Sequence, residues 1–292
     1  MSLSRAERPS ARRRVWVEPK PRVAVELTGS GPLVLFLHGI GGNRTNWYPQ
    51  LDVVGAEFTA AAWDARGYGE SDDYEGELDF ADFSGDLLRV LDAFDAHSAH
   101  LVGVSMGGRI AIDFVGRHPD RVATLTLADT SAGSARVASP AEVEKFLQMR
   151  KQPLLEGRSP QDIAPEVVAT LIGPATPAAV RDAMIESLSV LHRDSYLKTL
   201  DAVTRYTAFP AFEKIKVPTL VIVGEHDRIA TPEYAAAMAQ RIENSRFVML
   251  EGGSHISNMD RPAEFNAVLL DFLRTHAARA LPRGAVAATM GA

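Results

Sequence analysis

Cysteine is absent from the 292 residues, which excludes a disulfide framework, a cysteine nucleophile and any thiolate metal site. Long apolar runs are missing as well. The longest strand-like one, Leu33-Val34-Leu35-Phe36-Leu37, is far short of the roughly 20 residues a membrane-spanning helix needs. Positive charge is not in excess: 31 Lys and Arg against 37 Asp and Glu leave a formal net charge of -6. Nothing electrostatic therefore points to nucleic acid or an anionic membrane as partner. Histidines and carboxylates do not cluster, and the glycine-rich run Gly39 to Gly42 carries no phosphate-binding lysine. Neither a metal nor a nucleotide cofactor is expected. Arg12-Arg13-Arg14 is not followed by an apolar stretch, which argues against a secretory signal and for a flexible lead-in over residues 1–14. Residues 280–292, rich in Ala and Gly, read as a second flexible tail. A cytoplasmic protein is the expectation.

What is present suits a large α/β domain carrying an insertion. Two lead-in strands, near 15–17 and 23–27, precede the apolar strand 33–37. Further short apolar strands recur near 58–63, 100–104, 122–128, 218–223 and 246–250. Their Val/Leu-rich, non-alternating character fits strands buried on both faces of a parallel sheet. Between them lie amphipathic stretches, such as Phe83, Leu87, Val90, Leu91 and Phe94 along one helical stripe. From about 133 to 212 the alternation stops, and proline-punctuated helical segments take its place. The predicted organisation is a doubly wound, mostly parallel core over 15–132 and 213–279, with a helical cap over 133–212.

The most informative segment is Gly103-Val104-Ser105-Met106-Gly107. It joins a buried strand to a helix, the context of a nucleophile elbow. Side chains two before and two after the serine would collide in so tight a turn, so glycine stands at both positions and the Ser105 hydroxyl points clear of the sheet. A serine hydroxyl needs a general base, and the base needs an acid to orient it. His255, in Gly252-Gly253-Ser254-His255 directly after a strand, is the candidate base. His38 reads as a loop hydrogen-bonding residue, and His97 and His100 as surface residues flanking the strand before the elbow. Asp227 follows another strand end and is the candidate acid, with Asp129 as its rival. The order Ser105, Asp227, His255 is the chain order of an α/β-hydrolase triad. For the oxyanion, the backbone N–H groups of Met106 and of Ile40, in the loop His38-Gly39-Ile40-Gly41-Gly42, are the candidate donors. Trp47, Tyr48 and Met106 are candidate pocket walls.

Together these residues resemble the α/β-hydrolase superfamily from about Val15 to Ala278. Asp64-Ala65-Arg66-Gly67-Tyr68-Gly69-Glu70-Ser71 is similar to a scaffold loop of that superfamily. The elbow through Arg109 and the segment Ser254 to Asn266 are similar to 3-oxoadipate enol-lactonases and related serine esterases and lactonases. The resemblance implies hydrolysis of a small carboxylic ester or lactone through an acyl-enzyme. It also leaves open carbon–carbon bond hydrolysis of a ketone, for which a pocket arginine (Arg44, Arg109 or Arg150) would hold a carboxylate. Relatives of that kind usually carry tryptophan close after the histidine, where this chain has Ile256. A ligand sensor on the same scaffold is the third alternative.

Overall fold

The buried apolar runs form one eight-stranded sheet in the computed structural model, which describes residues 11–131, 139–207 and 209–283. Its strands are β1 (Arg13–Val17), β2 (Val23–Thr28), β3 (Leu33–Leu37), β4 (Thr59–Trp63), β5 (Ala99–Val104), β6 (Val122–Ala128), β7 (Thr219–Gly224) and β8 (Ser245–Leu250). They lie in the order β1-β2-β4-β3-β5-β6-β7-β8. The pairs β1–β2 and β2–β4 are antiparallel and all others parallel. The strand order reverses between β3 and β5, which opens a crevice at their carboxyl ends.

The helices of the core are α1 (Tyr48–Val54), α2 (Phe80–Ala93) and α3 (Met106–Arg117). Between β6 and β7 come α4 (Pro140–Arg150), α5 (Gln152–Leu155), α6 (Pro160–Ala169), α7 (Ala178–Ser189) and α8 (Arg193–Arg205), with no strand among the described residues. The chain closes with α9 (Pro232–Arg241), α10 (Ser257–Asp260) and α11 (Pro262–His276). Serine caps start two of the inserted helices: Ser139 before α4 and Ser159 before α6 each accept from the backbone N–H three residues on, with a proline next in line.

Alternate residues of each central strand feed two apolar layers. Leu33, Leu35 and Leu37 of β3 pack with α2, α3 and the inserted helices. Val34 and Phe36 of the same strand pack with α1 and α11. A sheet covered on both faces needs no polar alternation, which is why its strands read as continuous apolar runs.

Three expectations are corrected at the margins. Arg13 and Arg14 belong to β1, and Arg14 pairs with Glu26 at 3.0 Å, so the lead-in is ordered from there. Leu281 accepts from His97 N–H at 2.8 Å and Arg283 N–H donates to Asp95, so the tail is tied down that far. His100 is fully buried rather than at the surface, with Nδ1 2.8 Å from Thr124 Oγ1. Residues 1–10, 132–138 and 284–292, where parts of the expected tails and of the cap's beginning fall, lie outside the described residues.

The loop that follows β3 is held by a buried ion cluster. The Arg44 guanidinium reaches Glu26 of β2 at 3.1 Å, Asp64 after β4, and Glu70 at 2.6 Å. Asp64 also accepts from the Arg44 N–H at 2.7 Å and the Glu70 N–H at 2.8 Å. Arg66 of the same loop pairs with Asp86 of α2. Removing one member of a buried pair leaves its partner charged and desolvated. Arg44→Met should therefore lower the free energy of unfolding by about 3–5 kcal/mol, read by urea denaturation. A loss below about 1 kcal/mol, the range of surface pairs, would show that the cluster is solvated.

Candidate active site

Ser105 sits between the end of β5 and the start of α3 with φ 52° and ψ -115°, a backbone region that costs a non-glycine residue about 1–3 kcal/mol. Three hydrogen bonds hold it there. Its N–H donates to Ala128 at 3.0 Å, and its carbonyl accepts from Arg109 N–H at 3.1 Å and Thr130 Oγ1 at 2.7 Å. The flanking glycines are required by contact. A Cβ on Gly103 would lie 2.4 Å from the Gly107 backbone, and one on Gly107 would lie 2.0 Å from the Leu37 carbonyl oxygen. The turn that carries Ser105 is therefore wedged against the end of β3.

The loops after β7 and β8 bring the other two groups to it. Glu225 N–H donates to Leu250 and His226 N–H to Gly253, which ties the two loops into one unit. Asp227 folds back on itself, its Oδ1 accepting from the Ile229 and Ala230 N–H groups at 2.8 and 2.9 Å. Its carboxylate faces His255 Nδ1 at 2.9 Å, and His255 Nε2 lies 2.9 Å from Ser105 Oγ. That arrangement requires the tautomer with the proton on Nδ1, leaving Nε2 to accept from the serine hydroxyl. His255 is buried, and burial pulls its pKa down. The charge and hydrogen bond of Asp227, with a further contribution from Asp129, outweigh this and leave it above the ordinary 6.5. An imidazole placed between a carboxylate and a hydroxyl in this way has the geometry required of a general base.

Above this chain lies a cavity of about 70 Å³, lined by Ser105, His255 and Ile40 together with Phe146, Leu171 and Met184 of the inserted helical segment. None of the three expected wall residues lines it. Trp47 is fully buried, its ring 5.0 Å from Phe36 and 6.2 Å from Phe265, because its helical turn faces α11 beneath the sheet. The Met106 side chain points into the main core, and Tyr48 packs on the second core layer. Of the three arginines, Arg44 is consumed by its ion cluster, and Arg109 donates to the carbonyls of Val203 and Tyr206. Arg150 alone of the three lines the cavity. The backbone of Ile40 follows Gly39 into the cavity wall, where Gly41 turns the loop with φ 84°. Met106 opens α3, so its N–H has no acceptor within the helix. His38 serves the loop: Nδ1 contacts the Gly39 carbonyl at 2.8 Å and Nε2 accepts from Ala65 N–H at 3.0 Å.

Asp129 does not touch His255. It is a clamp that composition alone did not reveal. Its Oδ1 accepts from Gly224 N–H at 2.9 Å, and its Oδ2 from Ser257 N–H at 2.9 Å and Ser257 Oγ at 2.7 Å. It thus joins the ends of β6 and β7 to α10, the short helix just after His255. Complete burial and the nearby Asp227 charge push its carboxyl pKa up. Asp129→Ala strips two buried N–H groups of their acceptor, at about 1–3 kcal/mol each. Thermal and urea unfolding should register a loss of about 2–4 kcal/mol, and a neutral effect would mean that the clamp is dispensable.

Known proteins show the same arrangement of the chain. A family model described as alpha/beta hydrolase fold matches residues 32–262. A 2-hydroxy-6-oxononadienedioate/2-hydroxy-6-oxononatrienedioate hydrolase of Paraburkholderia phymatum is 30% identical over 265 residues, covering 86% of this chain and 91% of that protein. Among solved structures, a thermophilic esterase from Thermogutta terrifontis with malate bound is 28% identical, with a TM-score of 0.80 over 91% of this chain and 100% of its own. The enol-lactonase of Burkholderia xenovorans LB400 is 27% identical, with a TM-score of 0.77 over 87% of this chain and 96% of its own. The family match spans most of the sheet and every loop that meets at its carboxyl edge, and the chain belongs to the α/β-hydrolase fold family, with a resemblance to its enol-lactonases.

Proposed function

We propose that the protein hydrolyses a carboxylic ester or lactone of a small molecule through an acyl-enzyme on Ser105. The observation that carries this reading is the hydrogen-bonded chain Ser105–His255–Asp227, 2.9 Å at each link. Ser105 Oγ attacks the carbonyl carbon while His255 Nε2 takes its proton. Asp227 holds the imidazolium through Nδ1. The N–H groups of Ile40 and Met106 receive the oxyanion, the second of them at the positive end of α3. His255 returns the proton to the leaving alkoxide, which departs from an ester or stays tethered in an opened lactone. Water, deprotonated by the same histidine, then releases the acid. The cavity of about 70 Å³ has room for roughly five water-sized groups, which favours short acyl chains. Residues 139–207 and their neighbours act as a cap that sorts substrates and excludes water.

Carbon–carbon bond hydrolysis with the same three residues is the second reading, favoured by the 30% identity to the Paraburkholderia enzyme. One assay separates the two: p-nitrophenyl esters of increasing acyl length, a lactone panel and a vinylogous 1,5-diketone, each with wild type and Ser105→Ala. Short esters or lactones should turn over, the diketone should not, and Ser105→Ala should lose at least about 10³-fold in kcat. A variant retaining more than a few per cent of wild-type activity would remove Ser105 from the reaction.

The pH profile tests the histidine. Its raised pKa keeps the imidazole protonated, and so unable to act as base, to a higher pH than usual. The acid limb of kcat/KM should then lie above pH 6.5. Asp227→Asn removes the charge that raises it, so the limb should move to lower pH while kcat falls by about 10⁴-fold. A limb that stays in place in Asp227→Asn would mean another group sets it.

A further inference from the structure

The loop that carries His255 is held from two directions. On one side Asp129 ties Ser257 to the ends of β6 and β7. On the other, the connection between α6 and α7, from Leu171 to Thr176, lies along the loop as a strap. The His255 N–H donates to the Leu171 carbonyl at 3.1 Å, and Leu171 lines the cavity. A Cβ on Gly173 would lie 3.2 Å from Ser254 Cβ and 3.5 Å from His226 Cβ, so the strap packs against the loops after both β7 and β8. Asp260, the last residue of α10 and 5% exposed, closes the joint. Its Oδ2 accepts from the Ser254 N–H at 3.0 Å, from the Ser254 hydroxyl, and from Thr176 Oγ1 at 3.1 Å. The Thr176 hydroxyl in turn accepts from the Gly173 N–H at 3.0 Å. One carboxylate oxygen thus gathers the residue before His255 and the far end of the strap. Hydrogen bonds to an ionised acceptor are the strong ones, and a reacting side chain is held only as well as the shell that supports it.

We propose that Asp260 is a positioning residue for His255: it locks the inserted strap to the histidine loop, so that the alignment of His255 with Ser105 depends on the inserted segment. The inference rests on the reading of Ser105 and His255 as nucleophile and base. Leu171 makes the coupling direct, since the residue that walls the cavity also holds the His255 backbone through its carbonyl. A strap that leaves the loop frees the His255 N–H and moves Nε2 from its 2.9 Å contact with Ser105 Oγ. A misplacement of about 1 Å is enough to lose about 10²-fold in rate. The loss falls on kcat, because the cavity walls that bind the substrate are still present.

The test measures kcat and KM for p-nitrophenyl acetate and butyrate, per Ser105 titrated with a p-nitrophenyl phosphonate, in variants of the joint. Thr176→Val removes only the hydroxyl and should lower kcat about 10-fold, and Asp260→Ala about 100-fold, each with KM within about 3-fold of wild type. Asp260 Oδ1 is buried without a partner among the described residues. Asp260→Asn can therefore turn its amide oxygen to the same donors, and its kcat should stay within about 5-fold of wild type. In the Asp260→Ala background Thr176→Val should lower kcat no further, because it acts through that carboxylate. Ser159→Ala removes the N-cap of α6 and loosens the same inserted segment, yet should leave kcat unchanged. Proton NMR of the His255 Nδ1–H, deshielded by Asp227, reads the imidazole without turnover. Its resonance should shift in Thr176→Val and Asp260→Ala and stay in place in Ser159→Ala. Such a shift in a protein that hydrolyses no ester supports the joint and counts against the nucleophile alone. Either an unchanged kcat or an unmoved resonance in Thr176→Val, the variant least able to disturb folding, overturns the proposal. An equal fall in kcat in Ser159→Ala, or effects that multiply in the double variant, overturns it as well.

Discussion

The close approach of two backbones at the end of the sheet governs this structure. Gly107 passes so near the Leu37 carbonyl that no Cβ fits, and this contact lets the chain leave β5, turn through a strained serine and enter α3 within a few residues. The strain at Ser105 is local, but what sustains it is not. Ala128 and Thr130 come from the neighbouring strand end, and Leu37 from the strand on the other side. A backbone conformation that an isolated peptide would abandon survives because three parallel strands over-determine it.

The same edge gathers the remaining chemistry. β3, β5, β6, β7 and β8 run parallel, so the loops that leave them emerge together. The loops after β7 and β8 are fastened by backbone hydrogen bonds before any side chain is considered. Asp129 then fixes their distance from β6 by accepting from both sides. Asp227 and His255 are placed by main-chain geometry, and their mutual hydrogen bond follows from that placement. Electrostatics reinforces it, since the carboxylate favours the charged imidazole against the cost of burial.

Two buried arginines illustrate how differently a charge is used in one fold. Arg44 joins β2 to the loops after β3 and β4, and its carboxylates neutralise it within the scaffold. Arg150 arrives on an inserted helix, faces the cavity and finds an aromatic ring where an acid would serve. The first fastens the scaffold and the second lines the cavity. The insertion is itself anchored: Ser195 of α8 donates to Asp73 at 2.5 Å, Lys198 to the Tyr74 carbonyl at 2.7 Å, and His255 N–H reaches the Leu171 carbonyl at 3.1 Å. The helices that line the cavity are thus bonded to the loop that carries the histidine.

Residue order and local pattern by themselves determined a good deal: the run of buried strands, the helices between them, the serine between its glycines, and the aspartate and histidine that meet it. These are legible because strand ends in a parallel sheet converge, so position along the chain stands in for position in space. Only the tertiary structure decided the rest. Trp47 and Met106 turned into the core, His100 lies under the sheet rather than on the surface, Asp129 became a clamp, and Arg150 was separated from Arg44 and Arg109. Each of these depends on which way a side chain points once helices have packed against strands far away in sequence. Periodicity records the face of an element but not the partner it meets, and so the pocket was decided by packing.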